Sequence, residues 1–150
     1  MKIKQLSVFI ENKEGRLKNA LNVLSKENIN IRALSVADSE KYGILRLIVN
    51  DNEKAKKALE KENLIVKETE VIVVGIPDKP NGLNHILEIL EKDGINVEYI
   101  YAFVSTKADE AVVVMKIEDI QKAVEGAIAP MATKIQQMQD KIEKLENPTD

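Results

Sequence analysis

Apolar positions in this chain recur with two periods, and the periods alternate. Leu6, Val8 and Ile10 are separated by Ser7 and Phe9, the period-two pattern of a strand. Leu17, Ala20, Leu21 and Leu24 then fall at i, i+3, i+4 and i+7, which is one face of a helix. Lys26-Glu27-Asn28 is expected to end it, with Asn28 as a left-handed terminator. Ile29 to Val36 alternates as a strand. Asp38 to Gly43 reads as a hairpin loop, and Ile44 to Val49 as the next strand. Asn50-Asp51-Asn52 supplies capping side chains for a helix carrying Ala55, Ala58 and Leu59. Glu62-Asn63 closes that helix, and a further strand starts near Ile65.

The pattern then restarts. Val71 to Ile76 is strand-like, and Leu83, Ile86, Leu87 and Leu90 repeat the first helix face. Lys92-Asp93-Gly94-Ile95-Asn96-Val97 repeats Lys26-Glu27-Asn28-Ile29-Asn30-Ile31 at an offset of 66. Glu98 to Val104 and Ala111 to Ile117 read as strands, and Glu118-Asp119 starts a helix bearing Ile120, Ala123, Val124, Ala127 and Ile128. One register through strand, turn, helix and strand is an internal duplication. The first copy has the order strand, helix, strand, strand, helix, strand, the split βαβ arrangement of the ferredoxin-like fold, and the second follows it as far as its later helix. Neither Pro nor Gly interrupts the chain from Ile65 to Val74, so the copies are expected to join nearly strand to strand.

The ending departs from the repeat. Where a last strand is due, the chain reads Ala129-Pro130-Met131. Ile135, Met138, Ile142 and Leu145 then make a heptad-like stripe. The expected organisation is α+β, with two tandem ferredoxin-like βαββαβ domains, the second lacking an obvious last strand. The domains span 1–69 and 70–128, and 129–150 form a C-terminal amphipathic helix. That helix packs either on its own chain or on a partner.

One turn is written twice. Glu11-Asn12-Lys13-Glu14-Gly15-Arg16-Leu17 and Pro77-Asp78-Lys79-Pro80-Asn81-Gly82-Leu83 each follow a strand and open a helix. Asn12 and Asp78 match, and both side chains can bond their own backbone in a turn. Gly15 and Asn81 match, and both tolerate a positive φ. Such a turn exposes backbone N–H groups at a helix N-terminus, a seat for a carboxylate or another anion. Turn chemistry by itself explains both copies as helix starts.

Composition narrows the function classes. The 150 residues are 44% apolar, enough for a packed core. The net charge of −3 is spread over interspersed charges, which argues against a nucleic-acid partner. With no cysteine there is no disulfide and no thiolate metal site, and a reducing cytoplasm is the expected compartment. No run reaches the length of a membrane span, and Met1 to Gln5 lack the apolar stretch of a signal peptide. His85 is the single histidine, without a Ser or Cys constellation around it. Tyr99, Tyr101 and Phe103 alternate on one strand face without flanking Arg or Lys, which favours packing over base stacking. No cofactor, metal or catalysis is expected.

The turn of Asp-x-Pro-Gly-x-Leu character, the Leu-rich helix, the Gly-Ile-Asn strand entry and the duplication together resemble the ACT domain family. The resemblance runs from about Ile3 to Ile128. It is closest to small stand-alone proteins made of two ACT domains. Asn81 stands where glycine is usual in that turn, and Glu14 stands where proline is usual. The resemblance implies allosteric regulation through a small-molecule ligand, usually an amino acid. It also implies, as partner, an enzyme regulated in trans, and the strands apolar on both faces, Ile44 to Val49 and Ala111 to Met115, point to a homodimer. The ligand would sit where paired domains meet, between the strand-to-helix turn of one and a strand of its neighbour. Carried over, the ligand-binding residues are Asn12, Lys13, Gly15, Arg16, Leu17 and Asn30 in the first copy. In the second they are Asp78, Lys79, Asn81, Gly82, Leu83 and Asn96. Pro80 rigidifies the second turn and Glu14 charges the first, so the second is expected to bind better. The alternative is a structural dimerisation module that has lost ligand binding.

Overall fold

In the computed structural model the chain is described over residues 2–39, 41–103 and 108–120. Its elements are β1 (Lys2–Glu11), α1 (Arg16–Lys26), β2 (Ile31–Asp38), β3 (Tyr42–Val49), α2 (Asn52–Lys61), β4 (Ile65–Pro77), α3 (Gly82–Lys92), β5 (Val97–Ala102) and β6 (Glu110–Ile117). They build an α+β protein of tandem ferredoxin-like units. One compact unit is Lys4–Glu70; the other holds the described residues from Val71 on, with Lys2 and Ile3. The single strand β4 supplies residues to both.

In the first unit the strand order is β4-β1-β3-β2. Strand β3 pairs antiparallel with β1 and with β2. The register sets Leu6 opposite Leu47 and Val8 opposite Leu45. Alternation along the strands turns these side chains to one face. They form a core with Ala20 and Leu24 of α1 and Ala55 and Leu59 of α2. Leu6, Leu24, Leu45, Leu47 and Leu59 are each fully buried. Each such burial contributes roughly 1.5–3 kcal/mol.

The second unit repeats this plan. Strand β6 lies between β4 and β5, antiparallel to both. Ile72, Val74, Val113 and Met115 pack with Ile86 and Leu90 of α3. The repeat offset grows from 66 to 68 at β6, since Tyr42 opens β3 and Glu110 opens β6. The intervening hairpin is longer by two residues in the second copy. The second copy's expected helix beyond Ile120, the place of the last strand it is expected to lack and the expected C-terminal helix lie outside the described residues.

The three helices among the described residues end in the same way. Asn28 at φ 56°, Asn63 at φ 63° and Gly94 at φ 66° take the left-handed conformation. After each, the next N–H reaches back: Ile29 to the Leu24 carbonyl, Leu64 to Leu59 and Ile95 to Leu90. This is the Schellman pattern, and only residues that tolerate positive φ hold it cheaply. One loop expectation needs correction. Gly43 does not lie in the hairpin loop but within β3, paired with Ile10 and Asp38. The ladder extends past the apolar run because backbone pairing does not need apolar side chains.

The sheet faces turned away from the helices differ between units. In the second, Val71, Val73, Val112 and Val114 are buried. In the first, the positions equivalent to Val71 and Val73 are Gln5 and Ser7, also buried. Gln5 Nε2 donates to Ser7 Oγ at 3.0 Å, and Ser7 Oγ lies 3.4 Å from Thr69 Oγ1. Burial without such partners would carry a desolvation cost.

Candidate functional site

The two turns share one hydrogen-bond skeleton. Lys13 N–H donates to the Glu11 carbonyl at 2.9 Å, and Lys79 N–H to that of Pro77 at 2.9 Å. Arg16 N–H reaches Lys13 at 3.2 Å, and Gly82 N–H reaches Lys79 at 3.0 Å. Asn12 N–H bonds the Lys41 carbonyl and Asp78 N–H that of Asp109, tying each turn to its neighbouring hairpin. Gly15 at φ 82° and Asn81 at φ 69° both take the predicted left-handed conformation. Neither makes a side-chain cap to its helix. Helix α2 differs, because Asp51 Oδ1 accepts from Lys54 N–H at 3.1 Å. The first-turn N–H groups of α1 and α3 therefore lack the side-chain acceptor that α2 has.

Side chains separate the copies. Glu11 lies 3.3 Å from Lys13 Nζ and 3.7 Å from Arg16. All three are exposed, so these pairs contribute little stability. They nonetheless place a carboxylate on both basic side chains of the first turn. The equivalents of Glu11 and Arg16 are Pro77 and Gly82. A Cβ on Gly82 would fall 2.2 Å from the Pro77 carbonyl oxygen, so only glycine fits. Among the described residues Lys79 has no ion pair. Asn81 Oδ1 accepts from Asn84 Nδ2 at 2.9 Å, and Asn84 Nδ2 also donates to Glu88 at 3.2 Å.

The expected self-bond of Asn12 is not made. Its Nδ2 instead donates to the Ser39 carbonyl at 3.3 Å, because the β2–β3 hairpin stands alongside the turn. Asn12, Lys13, Gly15 and Arg16 are exposed together at one end of the first unit, with Leu17 half-buried. Asp78, Lys79 and Asn81 are exposed in the second, with Gly82 buried and Leu83 half-buried. Asn30 and Asn96 are not beside these turns. Asn30 is bonded to Asn50, past the far end of β3, and Asn96 accepts from Glu118 N–H. The 11 residues of α1 set the two ends of its unit about 16 Å apart.

Sequence reasoning missed a groove of about 750 Å³ beside the first turn. Glu11, Arg16 and Asn19 line it with Tyr42, Val23 and Lys61. One part of it shows in the sequence, since Ala20 and Val23 stand where the second copy has Ile86 and Ile89. A smaller recess of about 340 Å³ surrounds Asn28 and Asn30. Among the described residues no group of His, Cys, Asp or Glu is placed to hold a metal. No described helix is long and apolar enough to cross a membrane.

A family model described as an ACT domain pair matches residues 1–144. The chain belongs to the ACT domain pair family. Its fold is similar to that of protein BT0572 from Bacteroides thetaiotaomicron, at 39% identity and a TM-score of 0.81, covering 88% of this chain and 90% of that one. It also resembles the aspartate kinase regulatory subunit from Thermus flavus, at 15% identity and a TM-score of 0.59, over 91% and 94% of the chains. The ligand-free regulatory subunit from Thermus thermophilus aligns at 14% identity and a TM-score of 0.57, over 77% and 85%. At that identity the likeness is one of fold. No curated protein sequence matches. The turns of this ACT domain pair thus carry the family's shape on two different sets of side chains.

Proposed function

We propose that this ACT domain pair is a regulatory protein that binds an amino acid at its strand-to-helix turns. The observation that carries the reading is the twice-built turn whose helix start has no side-chain cap. Backbone N–H groups there suit a carboxylate, and Asp78 or Asn12 suits the ammonium group. The ligand sits where ACT domains meet, within the chain or across a homodimer, and an enzyme regulated in trans is the recipient of the signal.

The second turn is the better site on this reading. Pro80 limits the ordering entropy lost on binding. Lys79 keeps its charge available. In the first turn Glu11 already holds Lys13 and Arg16, and Glu14 adds a second negative charge. A second reading has its own observation behind it. The groove beside the first turn offers an apolar wall for a ligand side chain, of a volume common in small-molecule sites.

A thermal-shift screen of the amino acids tests the proposal. A ligand that binds only the folded state raises apparent stability, by about 2.7 kcal/mol at a hundredfold excess over Kd. One amino acid, or a related group, is expected to raise Tm. A flat response across the panel at millimolar concentration favours the dimerisation module without a ligand. Light scattering is expected to show a particle heavier than the 16.8 kDa chain.

A further inference from the structure

Asn81 is the one asparagine in the chain that is followed by glycine. That pair is chemically special, because a backbone nitrogen next to a residue without a Cβ can approach the preceding side-chain amide. Asn81 is exposed and sits at φ 69°, at the start of α3. Its Oδ1 accepts a hydrogen bond from Asn84 Nδ2 at 2.9 Å. Asn84 is itself oriented by Glu88, which accepts from the same amide group at 3.2 Å. Residues three and four apart on a helix are neighbours, so the relay is built by α3 alone. A donor on this oxygen stabilises negative charge that develops there.

We propose that Asn81 is a site of spontaneous deamidation, promoted by Asn84. The Gly82 amide nitrogen loses its proton and attacks Cγ of Asn81. The new N–Cγ bond gives a tetrahedral centre whose oxygen bears the negative charge, held by the Asn84 N–H. Collapse breaks the Cγ–Nδ2 bond, and Nδ2 leaves as ammonia after taking a proton from water. The cyclic imide is then opened by water to aspartate or isoaspartate. Water is consumed and ammonia released, with no oxidant or reductant. The Gly82 N–H is bonded to the Lys79 carbonyl at 3.0 Å, so the turn opens before the attack. Anything that holds the turn closed slows the reaction. Both products carry a carboxylate at the N-terminus of α3. If that N-terminus holds the ligand's carboxylate, as proposed above, deamidation repels it and switches the second turn off irreversibly.

The test is peptide mapping by mass spectrometry of the folded full chain, aged in mildly alkaline buffer. Asn81 is expected to convert ahead of every other asparagine. Asn84→Ala, an exposed change, is expected to slow it roughly fivefold, the rate equivalent of one ordinary hydrogen bond. Conversion of other asparagines while Asn81 persists overturns the proposal, and so does an unchanged rate in Asn84→Ala. A second arm uses Asn81→Asp with whichever amino acid raises the Tm of the unmodified chain. A lost shift supports the switch, and a retained one removes it. If no amino acid raises Tm, the ligand reading fails, while the mapping still decides the deamidation.

Discussion

At the end of β1 the chain sets Glu11 against Lys13 and Arg16; at the equivalent point of β4 it sets Pro77 against Gly82. The backbone bonds around both places are the same, pair by pair. Two requirements survive the exchange of side chains. One is a residue that takes positive φ before the helix, Gly15 or Asn81. The other is an apolar helix face that docks on the sheet, Ala20 with Leu24 or Ile86 with Leu90. Most of the exposed residues differ between the copies, with Lys13 and Lys79 the same in both. The comparison teaches that this turn is a backbone device whose charge can be set separately in each copy.

Core substitutions test the shared scaffold with the largest expected effect. Leu24 and Leu90 occupy equivalent sites with 0% and 1% exposure. Leu24→Ala and Leu90→Ala are each expected to cost about 2–5 kcal/mol, read from denaturant unfolding. A loss of stability in one and not the other would break the equivalence of the two cores.

The turns themselves come next. Gly82→Ala drives a Cβ into the Pro77 carbonyl and is expected to cost about 1–3 kcal/mol, as other overpacked sites do. Arg16→Ala, at the matching place, is expected to stay within about 0.5 kcal/mol, because its ion pair is exposed. Equal effects would show that the close approach is not peculiar to the second turn. The shared left-handed position gives a further comparison. Gly15→Ala is expected to cost about 1–2 kcal/mol and Gly15→Asn less, with thermal melts as the readout. If Asn is as costly as Ala there, the exchange between copies has another cause.

Much of this was legible in the sequence because it rests on local rules. The helix faces followed from periodicity, and Asn28, Gly94, Gly15 and Asn81 from their tolerance of positive φ. The join without a linker appeared as one strand, Ile65–Pro77. Properties that depend on which elements end up side by side were not legible. Asn12 was expected to close its own turn, yet it bonds Ser39, 27 residues away. The groove beside α1 comes from small residues on two helices, Ala20 and Ala58, together with the end of α2 and the start of β4, Lys61 to Ile65. No single window of sequence contains it. The opposed charges of Glu11 and Arg16 were visible as letters, but their pairing was not.

On the proposed function, the Asp78 to Leu83 turn holds the ligand. Calorimetric titration of wild type, Asp78→Ala and Asn12→Ala, side by side with an amino acid found by thermal shift, tests it directly. Asp78→Ala is expected to weaken binding by at least tenfold, the loss of one charge-assisted hydrogen bond, while Asn12→Ala stays near wild type. Equal losses, or a loss confined to Asn12→Ala, would contradict it and move the site to the first turn and its groove.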